Sequence, residues 1–248
     1  MAGELLLERY GGPAEGVSSK SSETDLVSEA DRASEAAILE LLTGERPEDG
    51  LLGEEGSSRE GASGRRWVVD PLDGTINYLY RFPAWCVSVA LEDVSGGLVG
   101  VIHDPLRNET FTAARGEGAF VNGKRMQVNG EESLEFALVA TGFGYQAEVR
   151  ATQAQLLTQV LPRVRDIRRA GAAALDLAWV AAGRLDGYYE RGLHAWDYGA
   201  GDLIAREAGA LTGGRPGERP SGALTVAGTP GVFEPLQRLL EDFGAWHD

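Results

Sequence analysis

The stretch VVDPLDGTINY, Val68 to Tyr78, sets Asp70 and Asp73 three residues apart, behind two valines and ahead of Gly74-Thr75. Trp67, Val68 and Val69 read as a short apolar strand, and Pro71, with no N–H to give a ladder, is expected to end it. Both carboxylates then sit at the strand's C-terminal end and face one small volume. Two like charges that close raise each other's pKa and cost stability unless a cation neutralises them, which points to a hard-metal site. Gly74 permits close backbone approach, and Thr75 offers a hydroxyl plus free amides to a phosphate if Ile76–Arg81 begins a helical turn. On its own the stretch reads equally well as a proline turn with Asp73 in an Asx or N-cap role.

The chain around it has 248 residues, 43% of them hydrophobic and 25% charged, which suits one large soluble domain or two small ones. A formal net charge of −15 repels nucleic acid and anionic membrane, so neither is an expected partner. It repels a phosphorylated metabolite too, so an anionic substrate implies local positive charge, and bound metal is one way to supply it. Cys86 is the single cysteine, which leaves no intramolecular disulfide or thiolate zinc site and suits a reducing, cytoplasmic setting. The apolar run Leu5–Leu7 is too short for a signal sequence, and no stretch approaches the ~18 apolar residues of a membrane span. No targeting segment is expected.

Outward from the motif, Ser28–Leu42 repeats apolar residues at helical spacing, with Ala30, Ala33, Ala37 and Leu41 on one side. Gly56–Gly64 is small, polar and aperiodic and reads as a flexible surface loop. From Ala84 to about Val128, alternating runs punctuated by Gly and Asn-Gly predict a large antiparallel sheet. Further on, strands are expected at Phe136–Thr141, Leu185–Glu190 and Leu224–Ala227. Helices are expected at Ala147–Val160, Ala170–Ala182, Tyr198–Ala208 and Val232–Phe243.

Three other acidic groups matter. Glu54 and Glu55 close a short strand begun by Leu51-Leu52; alone, such a pair is usually a solvated surface feature. Asp197 follows Trp196, an aromatic expected to be buried, and stands where it could cap the helix YGAGDLIAREA. Ahead of the first clear helix comes KSSETDLVSEAD, residues 20–31, in which Asp25 could simply cap that helix. His103, His194 and His247 read as structural or surface residues.

The ordered combination of GEE at 53–55, WVVDPLDGTINY at 67–78 and WDYGAGDLIAREAGA at 196–210 resembles the inositol monophosphatases. They belong to a wider superfamily of magnesium-dependent, lithium-sensitive phosphatases. TDLVSEAD at 24–31, GEGAFVNGKRMQV at 116–128 and RAGAAALDLAWVAAGRLDGYYERG at 169–192 extend the likeness from about Lys20 to the end. The resemblance implies an α+β fold, a layered α-β-α-β-α sandwich of the inositol monophosphatase and fructose-1,6-bisphosphatase type. In it an N-terminal part, residues 1–130, carries most metal ligands, and a C-terminal part, residues 131–248, completes the site.

Carried over residue by residue, the resemblance implies that Glu54 and Asp70, with the Leu72 carbonyl, hold a first Mg2+. Asp70 bridges to a second, completed by Asp73 and Asp197, and a third ion is possible in such sites. It further implies that Thr75, paired with Asp31, orients and deprotonates the attacking water, while Gly74 and Thr75 amides hold the phosphate. It implies that Glu190 meets the substrate's hydroxyls and that the Gly171-Ala172-Ala173 backbone lies near the sugar ring, although Ala172 and Ala173 read equally as helix packing. Phosphate-ester hydrolysis by metal-activated water fits an oxygen-only donor set and needs no phosphoenzyme. Ile76-Asn77-Tyr78 resembles inositol-type members, which favours an inositol monophosphate. The competing substrates are fructose 1,6-bisphosphate, histidinol phosphate and phosphoadenosine phosphate, and the remote alternative is a silent metal-binding regulatory subunit. A homodimer and lithium inhibition are further implications. The nineteen residues before Lys20 abbreviate the family's long first helix.

Overall fold

The computed structural model describes residues 1–12, 15–19 and 26–244. A first helix, α1 (Ala2–Arg9), precedes a small hairpin, β1 (Ser18–Ser19) with β2 (Leu26–Val27), and then α2 (Glu29–Glu45). Ser28 caps α2 through its hydroxyl. Asp25, Lys20 and His247 lie outside the described residues. The buried face of α2 is Ala30, Asp31, Ser34, Glu35 and Ile38, while Leu41 is 53% exposed. The stripe Ala30-Ala33-Ala37-Leu41 expected from the sequence has the right period and the wrong phase. The helix is turned so that two carboxylates point inward, which apolar periodicity does not anticipate.

Next come β3 (Gly50–Gly53), β4 (Ser58–Arg59), β5 (Arg66–Asp73) and the one-turn helix α3 (Thr75–Leu79). β4 pairs antiparallel with β3, so the Gly56–Gly64 segment expected as a flexible surface loop contributes one strand of a short hairpin. Nor does Pro71 end the strand. β5 runs on to Asp73, with a shift of register against β6 (Cys86–Asp93) between Asp70 and Asp73. A proline survives there because the bulge asks no ladder hydrogen bond of it.

The meander continues through β7 (Gly96–Asp104), β8 (Glu109–Ala114), β9 (Gly118–Val121) and β10 (Lys124–Met126). The resulting eight-stranded sheet has the order β10-β9-β8-β7-β6-β5-β3-β4. β5 is thus an interior strand, parallel to β3 and antiparallel to β6, which explains its continuous apolar run.

The rest of the chain alternates β11 (Leu138–Thr141), α4 (Ala147–Val160), β12 (Asp166–Arg168), α5 (Ala173–Ala181), β13 (Gly187–Glu190), α6 (Ala195–Glu207), β14 (Leu211–Gly213), β15 (Thr225–Gly228) and α7 (Pro230–Asp242). The five-stranded sheet has the order β12-β11-β13-β15-β14.

Three apolar clusters define the layers. Leu6, Ile38, Val69, Leu72 and Trp85 join α1 and α2 to one face of the large sheet. Ile102, Phe111, Leu175, Leu177, Leu203 and Ile204 pack α5 and α6 between the sheets. Val139, Val160, Val226, Leu236 and Leu240 seat α4 and α7 on the far face of the small sheet. The layering is α-β-α-β-α, as expected. α5 buries almost every side chain, Asp176 among them. Among the described residues no helix is long and apolar enough to cross a membrane.

Candidate active site

The bulge in β5 shapes the floor of the site. Asp70 Oδ1 accepts the Leu72 N–H at 3.0 Å, while the Pro71 carbonyl is held by Ser34 Oγ of α2 at 2.9 Å. Asp70 is 1% exposed and Asp73 8%. Asp73 Oδ2 accepts the Ala174 N–H from α5 at 2.7 Å, with Cys86 Sγ on the same oxygen at 3.8 Å. Gly74 has φ +92°, and a Cβ there would stand 2.8 Å from the Ala84 carbonyl, so only glycine turns the chain here into α3.

Asp31 is brought to this turn by the first turn of α2. Its Oδ2 closes a capping box, accepting the Ser28 N–H at 2.9 Å and the Ser28 hydroxyl. That leaves Oδ1 for the Thr75 hydroxyl at 2.9 Å. The Leu72 carbonyl lies 3.1 Å from the same hydroxyl, whose single proton serves one acceptor at a time. Burial pushes the Asp31 carboxyl up, opposed by the Ser28 and Thr75 hydrogen bonds.

Glu54 follows β3 directly, its N–H bonded to the Val69 carbonyl at 3.1 Å. Asp197 enters from α6. It is the third residue of that helix rather than its N-cap, which is His194, and its Oδ2 accepts the His194 N–H at 2.6 Å. Trp196, expected buried, is half-buried and stacks on His194 at 4.7 Å. The helix starts earlier than the apolar pattern suggests because the capping box, not hydrophobic periodicity, sets its first turn.

Burial pushes Asp70 well up, and the charges of Glu54, Asp73 and Asp197 push it further. Asp73 is raised to about 7, chiefly by burial, against the pull of the Ala174 amide. Asp197 is raised by burial and by Asp73. Among the described residues no three His, Cys, Asp or Glu side chains already close on one point as a metal cage would. The acids are nevertheless near enough to oppose one another's ionisation. They are an all-oxygen set, the donor chemistry that suits a hard divalent cation.

Above this floor opens a cavity of about 870 Å3, lined in part by Glu54, Asp73, Gly74, Ala173, Glu190 and Asp197. Six of the sequence-derived residues therefore share one space, which is of small-molecule size. Asp31 of α2, Asp70 and Leu72 of β5 and Thr75 of α3 are buried beside them. Ala173 is both things it could be, lining the cavity and packed at the start of α5.

Sequence reasoning missed three participants. Glu35, one turn after Asp31, accepts the Glu55 N–H at 2.9 Å and Ser57 Oγ at 2.5 Å, and so fixes the loop that carries Glu54. Its spacing of four from Asp31 was the available signal. Arg169 lines the cavity, and Asp176 is buried beside it with Oδ1 lacking any hydrogen-bond partner. Both lie in the stretch RAGAAALDLAWVAAGRLDGYYERG, where no local spacing gives either a role. His194, read as structural or surface, is exposed and also lines the cavity, whereas His103 bonds to Thr110 Oγ1 at 2.9 Å on β7.

The model of the inositol monophosphatase family matches residues 1–240. The chain belongs to the inositol monophosphatase family. That membership supports a phosphatase acting on small phosphate esters. Within the family, the chain is 39% identical over 247 residues to the Nus factor SuhB of Escherichia coli, covering 97% of this chain and 92% of that one. It is 40% identical over 247 residues to the inositol-1-monophosphatase SuhB of Mycobacterium tuberculosis, covering 96% of this chain and 85% of the relative. The crystal structure of the extragenic suppressor protein suhB of Bartonella henselae superposes with a TM-score of 0.91 at 40% identity, covering 97% of this chain and 94% of that one.

Proposed function

We propose that this inositol monophosphatase family member hydrolyses inositol monophosphate to inositol and phosphate. The observation that carries the reading is the Asp31–Thr75 hydrogen bond set against the buried acids of β5 and the half-buried Asp197 of α6. A carboxylate whose second oxygen is fixed by Ser28 accepts the Thr75 hydroxyl's hydrogen bond through its first, and can take that proton as Thr75 receives one from the attacking water. The hydroxyl oxygen is then free to accept from a water and aim it at phosphorus.

Glu54, Asp70, the Leu72 carbonyl, Asp73 and Asp197 are the groups that would hold Mg2+, two or three ions in this reading. When bound, the metal supplies a lowered water pKa and neutralisation of phosphoryl charge. Gly74 and Thr75 would present backbone amides to the phosphate, and Asp73, Ala173, Glu190 and Asp197 would border the alcohol. Glu190 is a half-buried acceptor on the cavity wall suited to a sugar hydroxyl, its Oε2 taking the Tyr188 hydroxyl at 2.8 Å. The same reading carries a homodimer and lithium inhibition as expectations.

The test is a panel of inositol 1-phosphate, fructose 1,6-bisphosphate, histidinol phosphate and phosphoadenosine phosphate, with released phosphate as readout and magnesium present or absent. Magnesium-dependent release, fastest from inositol 1-phosphate, supports the proposal. Faster release from any other ester replaces its substrate. A second reading, a regulatory role, is favoured by the name of the Escherichia coli relative, a Nus factor. Absence of hydrolysis across the panel with magnesium bound would select it.

A further inference from the structure

One wall of the cavity holds an opposed pair of charges in two glycine notches. Gly142 makes room for Glu190, since a Cβ there would lie 2.0–2.1 Å from its carboxylate. Gly171, at φ +89°, makes room for Arg169 in the same way, with a Cβ 2.2 Å from Nη1. The Arg169 guanidinium stands 5.9 Å above the Phe143 ring, and Arg169, Phe143, Gly171 and Glu190 all line the cavity. This wall is fastened to the active-site turn. Asn77 Nδ2 donates to the Ala84 carbonyl at 2.6 Å and to the Ala170 carbonyl at 2.8 Å.

The balance of charge says what such a wall can read. Arg169 is exposed to the cavity, yet its charge faces two acids, Glu190 and Asp176, whose carboxyls it draws down against their burial. A guanidinium outnumbered by acids is a poor seat for a second phosphate. It remains a rigid fork of N–H donors beside a carboxylate acceptor, the complement of two neighbouring hydroxyls.

We propose that Arg169 is a specificity-determining residue: docked over Gly171 and across Phe143, it donates to one hydroxyl of the leaving alcohol while Glu190 engages its neighbour. The cavity thereby selects a neutral vicinal polyol over an aryl alcohol or a second anionic group. The inference rests on the phosphatase reading above.

It is tested by kcat/KM of the unaltered enzyme and of Arg169→Met and Arg169→Lys on myo-inositol 1-phosphate, p-nitrophenyl phosphate and fructose 1,6-bisphosphate, with magnesium. Loss of one charge-assisted hydrogen bond predicts that Arg169→Met lowers the inositol-to-nitrophenyl ratio roughly tenfold or more, mainly through KM for the inositol ester. Arg169→Lys, which keeps the charge and loses the fork, recovers part of that ratio. An unchanged ratio overturns the proposal, and so does a loss on fructose 1,6-bisphosphate larger than that on the inositol ester. If the unaltered enzyme hydrolyses none of the three, the phosphatase reading falls and takes this one with it.

Discussion

Replacing Asp73 by Asn in metal-free protein probes what the buried acids cost the fold. A carboxyl raised from 3.8 to about 7 on folding is bound to its proton more tightly in the native state than in the unfolded chain. Between those two values the native state holds the extra proton, so stability falls as pH rises from about 4 to about 7 and stays low above. A shift of that size corresponds to roughly 4 kcal/mol by pH 8, at about 1.4 kcal/mol per pKa unit. Asn removes the titration and keeps an oxygen for the Ala174 N–H, which Asp73 accepts at 2.7 Å. Its new amide would face Glu54 and Glu190, both acceptors and both among the charges that raise Asp73.

In EDTA at pH 8, Asp73→Asn should therefore melt higher than the natural chain, by roughly 10 °C for a domain this size. At pH 5.5 the gap should shrink to about half, because the natural carboxyl is then largely protonated in the folded state. Differential scanning calorimetry from pH 5.5 to 8.5 measures both. Added magnesium should reverse the order at pH 8 by stabilising the natural chain more. An Asn variant that melts lower than the natural chain in EDTA at pH 8, or a gap independent of pH, would refute the reasoning.

Asp70→Asn should abolish phosphate release while circular dichroism and melting show an intact fold; near-normal turnover would remove Asp70 from the chemistry. Thr75→Val keeps the shape and deletes the hydroxyl that bonds Asp31, so kcat should drop roughly 10²–10⁴-fold with KM little changed, as steady-state kinetics will show. Asn77→Ala strips partners from the carbonyls of Ala84 and Ala170 and should cost about 2–4 kcal/mol in urea unfolding, with a raised KM for the polyol ester.

The elements with clean periods were legible from the sequence: α4 spans Ala147–Val160 as expected, and the antiparallel run β6 to β10 lies where alternation and Asn-Gly turns put it. Where local rules failed, tertiary demands had overruled them. α2 is rotated to bury Asp31 and Glu35, β5 passes through Pro71 by a bulge, and α6 begins one turn early because Asp197 closes a capping box. Each departure moves a carboxylate into or beside the site, which is where local and global preferences are expected to conflict. The acidic residues of the site could be named because their motifs are contiguous. Arg169 and Asp176 could not, although they lie in the 169–192 stretch, because no local spacing marks either and only the fold sets them against Glu190 and the cavity.

The hydrogen bond from Ala174 to Asp73 joins residues 101 apart, tying β5 of the large sheet to the first turn of α5 in the layer between the sheets. β5 to β10 are sequence neighbours in a meander and close with little loop entropy, whereas α5, α6 and β13 reach the same spot only when the second sheet docks. On that topology the assembled acids are expected late on the folding path. An ion that needs all of them has nothing to grip beforehand, so it would act as a latch on the finished molecule. It would lengthen the native lifetime and leave the rate of folding almost untouched.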